Sequence, residues 1–148
     1  MGARTGARES ALQMLYAAEV IQASADQVIS DFWREHPGDA EGRPYADELV
    51  RGVSASLQEV DELIRQASTN WRLERMARVD RNTLRIGAWE LSHRKDIPRA
   101  VILDEAVEIA KRFGSDDSQS FVNGVLDRIA DDCGRADEAP PDSSGRAG

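Results

Sequence analysis

Cysteine, histidine and aromatic residues are all scarce in this 148-residue chain, and each shortage closes off a class of function. A single cysteine, Cys133, excludes an internal disulfide and any cysteine-based zinc cluster. A reducing cytoplasm is the expected setting. The two histidines, His36 and His93, have no His, Cys or paired carboxylates at helical spacing, so no metal site is expected. Aromatic residues make up 5% of the chain, which argues against aromatic-rich β-sandwiches and stacking sheets. No apolar run approaches the roughly 20 residues of a membrane helix. The opening stretch MGARTGARES lacks the apolar core of a secretory signal. GxGxxG, P-loop and GxSxG patterns are missing, and Cys133 has only Arg135 as a basic neighbour. The expectation is a non-enzymatic protein without cofactor or metal.

Negative charge is in surplus. Twenty-seven acidic residues against nineteen basic ones leave a net charge of -8, which argues against a general nucleic-acid binder, because phosphate neutralisation needs clustered Lys and Arg. The charge is also polarised. The first eight residues hold Arg4 and Arg8 and no acid, whereas DDCGRADEAPPDSSGRAG at the end holds five acids and two arginines. That ending is too polar to bury an ordered core. Three parts are expected: a flexible basic arm over 1–8, an all-helical domain over 9–131 and a disordered acidic tail over 132–148.

Apolar periodicity between arm and tail is helical throughout. Ala11, Leu12, Leu15, Tyr16 and Val20 predict a helix over about Glu9 to Ser24. Asp26 is placed to cap a second, with Val28, Ile29, Phe32 and Trp33 on its apolar face. Leu49, Val53, Leu57, Val60 and Ile64 predict one long helix over about Tyr45 to Ser68. WRLERMARVDR reads as a short helix or turn plus linker, and Leu84, Ile86, Ala88, Trp89 and Leu91 mark a helix over about Asp80 to Arg94. Leu84 and Trp89 are assigned to the core. Pro98 interrupts the pattern. VILDEAVEIAKRFG then forms a helix whose end is marked by Lys111, Arg112 and a C′ glycine, Gly114. Its acidic run Asp104, Glu105 and Glu108 reads as a solvated face.

SFVNGVLD, residues 120–127, contains the Asn-Gly pair of a two-residue hairpin, but its flanks do not alternate. Val122, Val125, Leu126 and Ile129 recur at helical spacing, and Asp116 with Gln119 has capping-box spacing. The stretch is therefore a helix, with Gln119, Ser120, Asn123 and Asp127 on a polar stripe. Gly124 inside it costs about 0.5–1 kcal/mol relative to alanine. Such a glycine either lets another helix pack closely or opens a surface to a partner. On residues alone the chain is an all-α interaction module of about seven helices with one unusually polar helix face.

RESALQMLYAAEV, VDRNTLRIGAWEL and IPRAVILDEAVEIAKRFGSDDSQSFVNGVLD, at their spacing in the chain, resemble the bacterial transcription antitermination factor NusB family over about Arg8 to Ile129. The pattern K-x-FG-x-x-DS-x-x-FVNGVLD is the most specific part. The resemblance implies an all-α fold of seven helices in two small helical bundles, with no catalysis. It implies pairing with NusE, the small-subunit ribosomal protein, binding of boxA RNA in ribosomal-RNA leader transcripts, and entry into the RNA polymerase antitermination complex with NusA and NusG. Two other readings stay open: a module like that fused to RNA cytosine methyltransferases, and a protein-only helical adaptor.

Site residues follow from the same resemblance. The family's N-terminal arginine-rich motif matches ARTGARES, so Arg4 and Arg8 become RNA-binding candidates, with Thr5 and Gly6 where arginines often sit. The last helix supplies Asp117, Ser118, Ser120, Phe121, Asn123 and Gly124. Phe121 either packs inward or stacks on an unpaired base, and the Asp117 carboxylate is expected to tune RNA affinity downward. For the protein partner the matching residues are Tyr16, Glu19, Glu74 and Asp80, an acidic surface suited to a basic ribosomal protein. Tyr16 also fits the core.

Overall fold

Poor helix formers at Thr5 and Gly6 do not delay the first helix. In a computed structural model that describes residues 2–38 and 40–138, α1 spans Ala3–Ile21. This corrects the flexible arm expected over 1–8. The reason is tertiary: the first turns of α1 rest on Gly42, where a β-carbon would lie 2.7 Å from the Ala3 carbonyl oxygen. Ala7 and Arg8 are buried. Packing of this kind outweighs intrinsic propensity.

The remaining helices are α2 (Ala25–Glu35), α3 (Arg43–Ala55), α4 (Leu57–Ala67), α5 (Arg78–His93), α6 (Arg99–Phe113) and α7 (Ser118–Asp132). Two 3-10 turns, Leu73–Arg75 and Ala136–Glu138, complete the order, with no strand among the described residues. The seven-helix all-α expectation holds. Ser24, not Asp26, caps α2, accepting the Gln27 N–H at 3.2 Å. The long helix expected over 45–68 is two helices, because the chain turns at Ser56 (φ -114, ψ 26). The turn lets α3 lie against α1 while α4 lies against α5 and α7. It also rotates Leu57 out of the apolar stripe and into solvent.

Helices α1, α2 and α3 pack on one another, and so do α4, α5, α6 and α7; α5 joins the two bundles by touching α1 and α3 as well. Every residue of α5 from Asn82 to Leu91 is buried, the pattern of a helix surrounded on all sides. Leu84 and Trp89 are core, as expected. At the crossing of α3 and α5, a β-carbon on Gly52 would overlap the Trp89 ring at 2.3 Å. Gly114 follows α6 in extended backbone (φ -98, ψ -168), so it is not the left-handed C′ glycine expected; a side chain there would meet Ser118 and the Ala110 carbonyl.

Residues 132–138, expected to open the tail, are docked on the domain. The Arg135 guanidinium is 1% exposed; it donates to the Leu91 and Ile97 carbonyls and to the Glu138 carboxylate. That closes the carbonyl ends of α5 and the loop after it. The rest of the expected acidic tail, 139–148, lies outside the described residues.

Candidate nucleic-acid interface

Serine in the first turn of a helix can cap backbone as readily as it can face a ligand. Ser118 takes the first role: it is 1% exposed, and its hydroxyl accepts the Ser115 N–H at 2.9 Å. This corrects its assignment as an RNA contact. It also replaces the expected Asp116–Gln119 capping box, since Asp117 holds the N-cap position without a side-chain cap.

The other residues of that turn and the next are accessible. Asp117, Ser120, Asn123 and Gly124 are exposed, and Ser120 bonds only back to the Asp117 carbonyl, at 3.4 Å. A β-carbon on Gly124 would meet nothing within 4 Å. The packing explanation for this glycine is therefore excluded, and the open-surface explanation stands. Phe121 is half-buried with its ring edge-on to Trp71, centroids 6.0 Å apart and planes at 73°.

Trp71 escaped the reading of the sequence. It lies between α4 and the first 3-10 turn, 60% exposed, and with Phe121 forms a ridge between two notches. One notch is bordered by Thr69, Asn70, Ser120 and Gly124; the other by Arg75, Asp80, Ser115 and Asp117. Arg72 and Arg75 are exposed and, unlike most of the chain's arginines, form no ion pair among the described residues. The available signal was an aromatic interleaved with Arg72, Arg75 and Arg78 between two helices.

The two N-terminal candidates part company. Arg4 is exposed, its guanidinium 4.9 Å from the centre of the Tyr45 ring. Arg8 is 3% exposed, with its Nη2 2.8 Å from a Glu90 oxygen but outside hydrogen-bond geometry. Its Nε donates to both Glu90 oxygens, at 3.1 and 3.0 Å, and its Nη1 to Glu105 at 3.2 Å. Tyr45 donates its hydroxyl to the same Glu90 carboxylate. Burial, then that carboxylate, pushes the Tyr45 pKa well above the ordinary tyrosine range, so the hydroxyl keeps its proton. Arg8 thus corrects the sequence expectation: it ties α1 to α5 and α6 and presents no charge to an RNA.

The protein-partner candidates gather around the start of α5. Tyr16 is 44% exposed with the Arg78 guanidinium 5.9 Å from its ring centre, so it is not a core tyrosine. Glu19 is held by Arg81 at 2.9 Å, Arg85 at 2.9 Å and Asn82 at 3.1 Å. Burial raises its pKa, but these hydrogen bonds win and hold the carboxyl below its ordinary value. Its oxygens are spent inside the fold, which turns Glu19 into a brace for the site instead of a free partner contact. Glu74 is exposed in the 3-10 turn, and Asp80 is half-buried with one carboxylate oxygen buried and unbonded.

Among the described residues no group of His, Cys, Asp or Glu could hold a metal ion, and no helix is long and apolar enough to cross a membrane. His36 stacks on Phe32 and His93 on Trp89. Burial raises the Cys133 thiol, the reverse of what a nucleophile needs.

The NusB family model matches residues 5–131. A transcription antitermination protein NusB from Sorangium cellulosum (strain So ce56) is 68% identical over 137 residues, spanning 93% of this chain and 98% of that one. Its counterpart from Geobacter sulfurreducens is 50% identical over 131 residues, 88% and 95% of the two chains. The T. maritima NusB structure superposes with a TM-score of 0.82 at 36% identity, over 91% and 95%. A chain from a crystal structure of antitermination factors NusB and NusE with double-stranded RNA superposes with a TM-score of 0.81 at 26% identity, over 89% and 98%.

Proposed function

This chain belongs to the NusB family, and from that membership we propose that it pairs with NusE, binds boxA RNA in ribosomal-RNA leaders and joins NusA and NusG on cytoplasmic RNA polymerase. It is a transcription antitermination factor of a non-catalytic family. The observation that carries the RNA reading is the open glycine on the exposed polar face of α7. A glycine with no packing neighbour weakens its helix and is tolerated where something outside the chain comes close. The NusB, NusE and RNA complex of like fold supports the same reading.

The electrostatics imply a division of labour. A chain of net charge -8 with one of its two N-terminal arginines, Arg8, withdrawn from solvent makes a poor stand-alone phosphate binder. Its acidic surface steers a basic ribosomal protein into place at Tyr16, Glu74 and Asp80. The composite then holds single-stranded RNA, with Ser120, Asn123 and the Gly124 backbone meeting bases or phosphates, Phe121 at the edge, and Arg4 as a peripheral cation. Asp117 opposes phosphate there. Titrating boxA RNA with and without NusE tests the model: NusE raises affinity, and equal affinity overturns it. Asp117→Asn raises RNA affinity at low salt; unchanged or weaker binding removes Asp117 from the RNA face.

A further inference from the structure

An exposed tryptophan beside unpaired arginines is unusual on a protein that consumes most of its arginines internally. Trp71 is 60% exposed, while Trp33 and Trp89 are 3% and 7% exposed. Phe121 holds the Trp71 ring edge-on from α7, and on the side bordered by Asn70, Ser120 and Gly124 the floor carries no side chain that would fill the notch. Arg72 follows Trp71 in the chain and Arg75 lines the opposite notch; both are exposed and neither forms an ion pair among the described residues. The geometry points to a stacking platform for one unpaired nucleobase: the base enters over Gly124 and stacks on Trp71, with Phe121 bracing that ring edge-on, while Arg72 and Arg75 hold the neighbouring phosphates. This rests on the RNA reading above and extends it from α7 onto the segment between α4 and α5.

Three features favour RNA over a protein side chain as the occupant. The cations are unsatisfied, which suits a polyanion. Asn70 and Ser120 at the rim are neutral hydrogen-bonding groups that match base edges. The notch is continuous with the α7 face. The opposite notch sets Arg75 beside Asp80 and Asp117, so Arg75 holds a phosphate at the ridge while the two carboxylates keep the strand from running further into that notch. Stacking of this kind tolerates sequence, since every base has a π-face.

The test uses the full chain with NusE and a boxA oligoribonucleotide carrying 2-aminopurine at one position at a time. Wild type quenches the probe at one position. Trp71→Ala abolishes that quench and weakens binding about 5- to 150-fold, the effect of one base–aromatic stack, while Trp71→Phe keeps most of both. Gly124→Leu reproduces the loss by filling the notch, and its melting temperature at or above wild type shows that the fold survives. Trp71→Ala binding with wild-type affinity and an intact quench overturns the platform and leaves the RNA reading standing. A loss of NusE affinity with RNA binding untouched also overturns it and makes the ridge a protein contact. Wild type showing no RNA binding in the presence of NusE brings down the RNA reading and the platform together.

Discussion

Arg8 and Arg72 lie at opposite extremes of what an arginine does in this protein. Arg8 is held between Glu90 and Glu105, residues 82 and 97 positions away in the chain, and is withdrawn from solvent. Arg72 stands beside an exposed tryptophan and pairs with no carboxylate among the described residues. A tally of arginines near the N-terminus therefore overstates that end as an RNA surface and overlooks the other. What decides whether a cation is available is the carboxylate that the fold brings to it. A buried guanidinium is also costly to orphan from its partners, whereas an exposed one loses little on removal.

The largest contrast comes from truncating Arg8. Arg8→Ala leaves Glu90 buried without its cationic partner, keeping only the Tyr45 hydroxyl, and lowers stability by about 3–5 kcal/mol, read by urea denaturation. RNA affinity of the folded protein stays within about twofold. A tenfold affinity loss at unchanged stability instead makes Arg8 an RNA contact. The next contrast sets two helical glycines against each other. Gly52→Ala forces a methyl into the Trp89 ring and destabilises by about 1–3 kcal/mol. Gly124→Ala, with open space around it, stabilises by about 0.5–1 kcal/mol. Thermal melts of the two variants shift in opposite directions; a destabilised Gly124→Ala contradicts the open-surface account.

The smallest effect is in the docked segment after α7. Arg135 hydrogen bonds, followed by the Arg99 N–H, bring the Glu138 carboxyl from its ordinary 4.5 to about 2. The native pKa lies below the unfolded one, so this contribution is complete above about pH 4.5 and is lost as pH falls toward 2. Solvent exposure limits it to about 0.2–1 kcal/mol. Between pH 5 and 2.5 wild type therefore loses slightly more stability than Glu138→Gln; equal losses contradict the pairing.

The helical periodicity of α2, α6 and α7 was legible because each has one face turned to the core, while α5, buried on all sides, still carries Leu84, Ala88 and Leu91 at helical spacing, which let Leu84 and Trp89 be assigned to the core. The start of α1 was not, since Thr5 and Gly6 argue locally against helix and only Gly42, far along the chain, argues for it. The turn at Ser56 was hidden because the apolar stripe passes straight through it, from Leu49 to Ile64. Asp116 and Gln119 had capping-box spacing, but the chain turns at Ser115, whose N–H is taken by the Ser118 hydroxyl instead. Within the candidate site, the exposed face of α7 was readable from its polar stripe. The burial of Arg8 depends on contacts with distant Glu90 and Glu105, which no local pattern encodes; at Trp71 the interleaved arginines were a local signal, but the pairing with Phe121 that builds the ridge was not.

Salt dependence separates the two arginine regions most directly. With NusE present, log affinity for boxA RNA falls with log salt, and each phosphate contact to a single strand contributes about 0.7 to that slope. Replacing Arg72 and Arg75 together by alanine makes the slope shallower by about 1.4. A slope identical to wild type in that double variant contradicts the account and returns the phosphate contacts to another face.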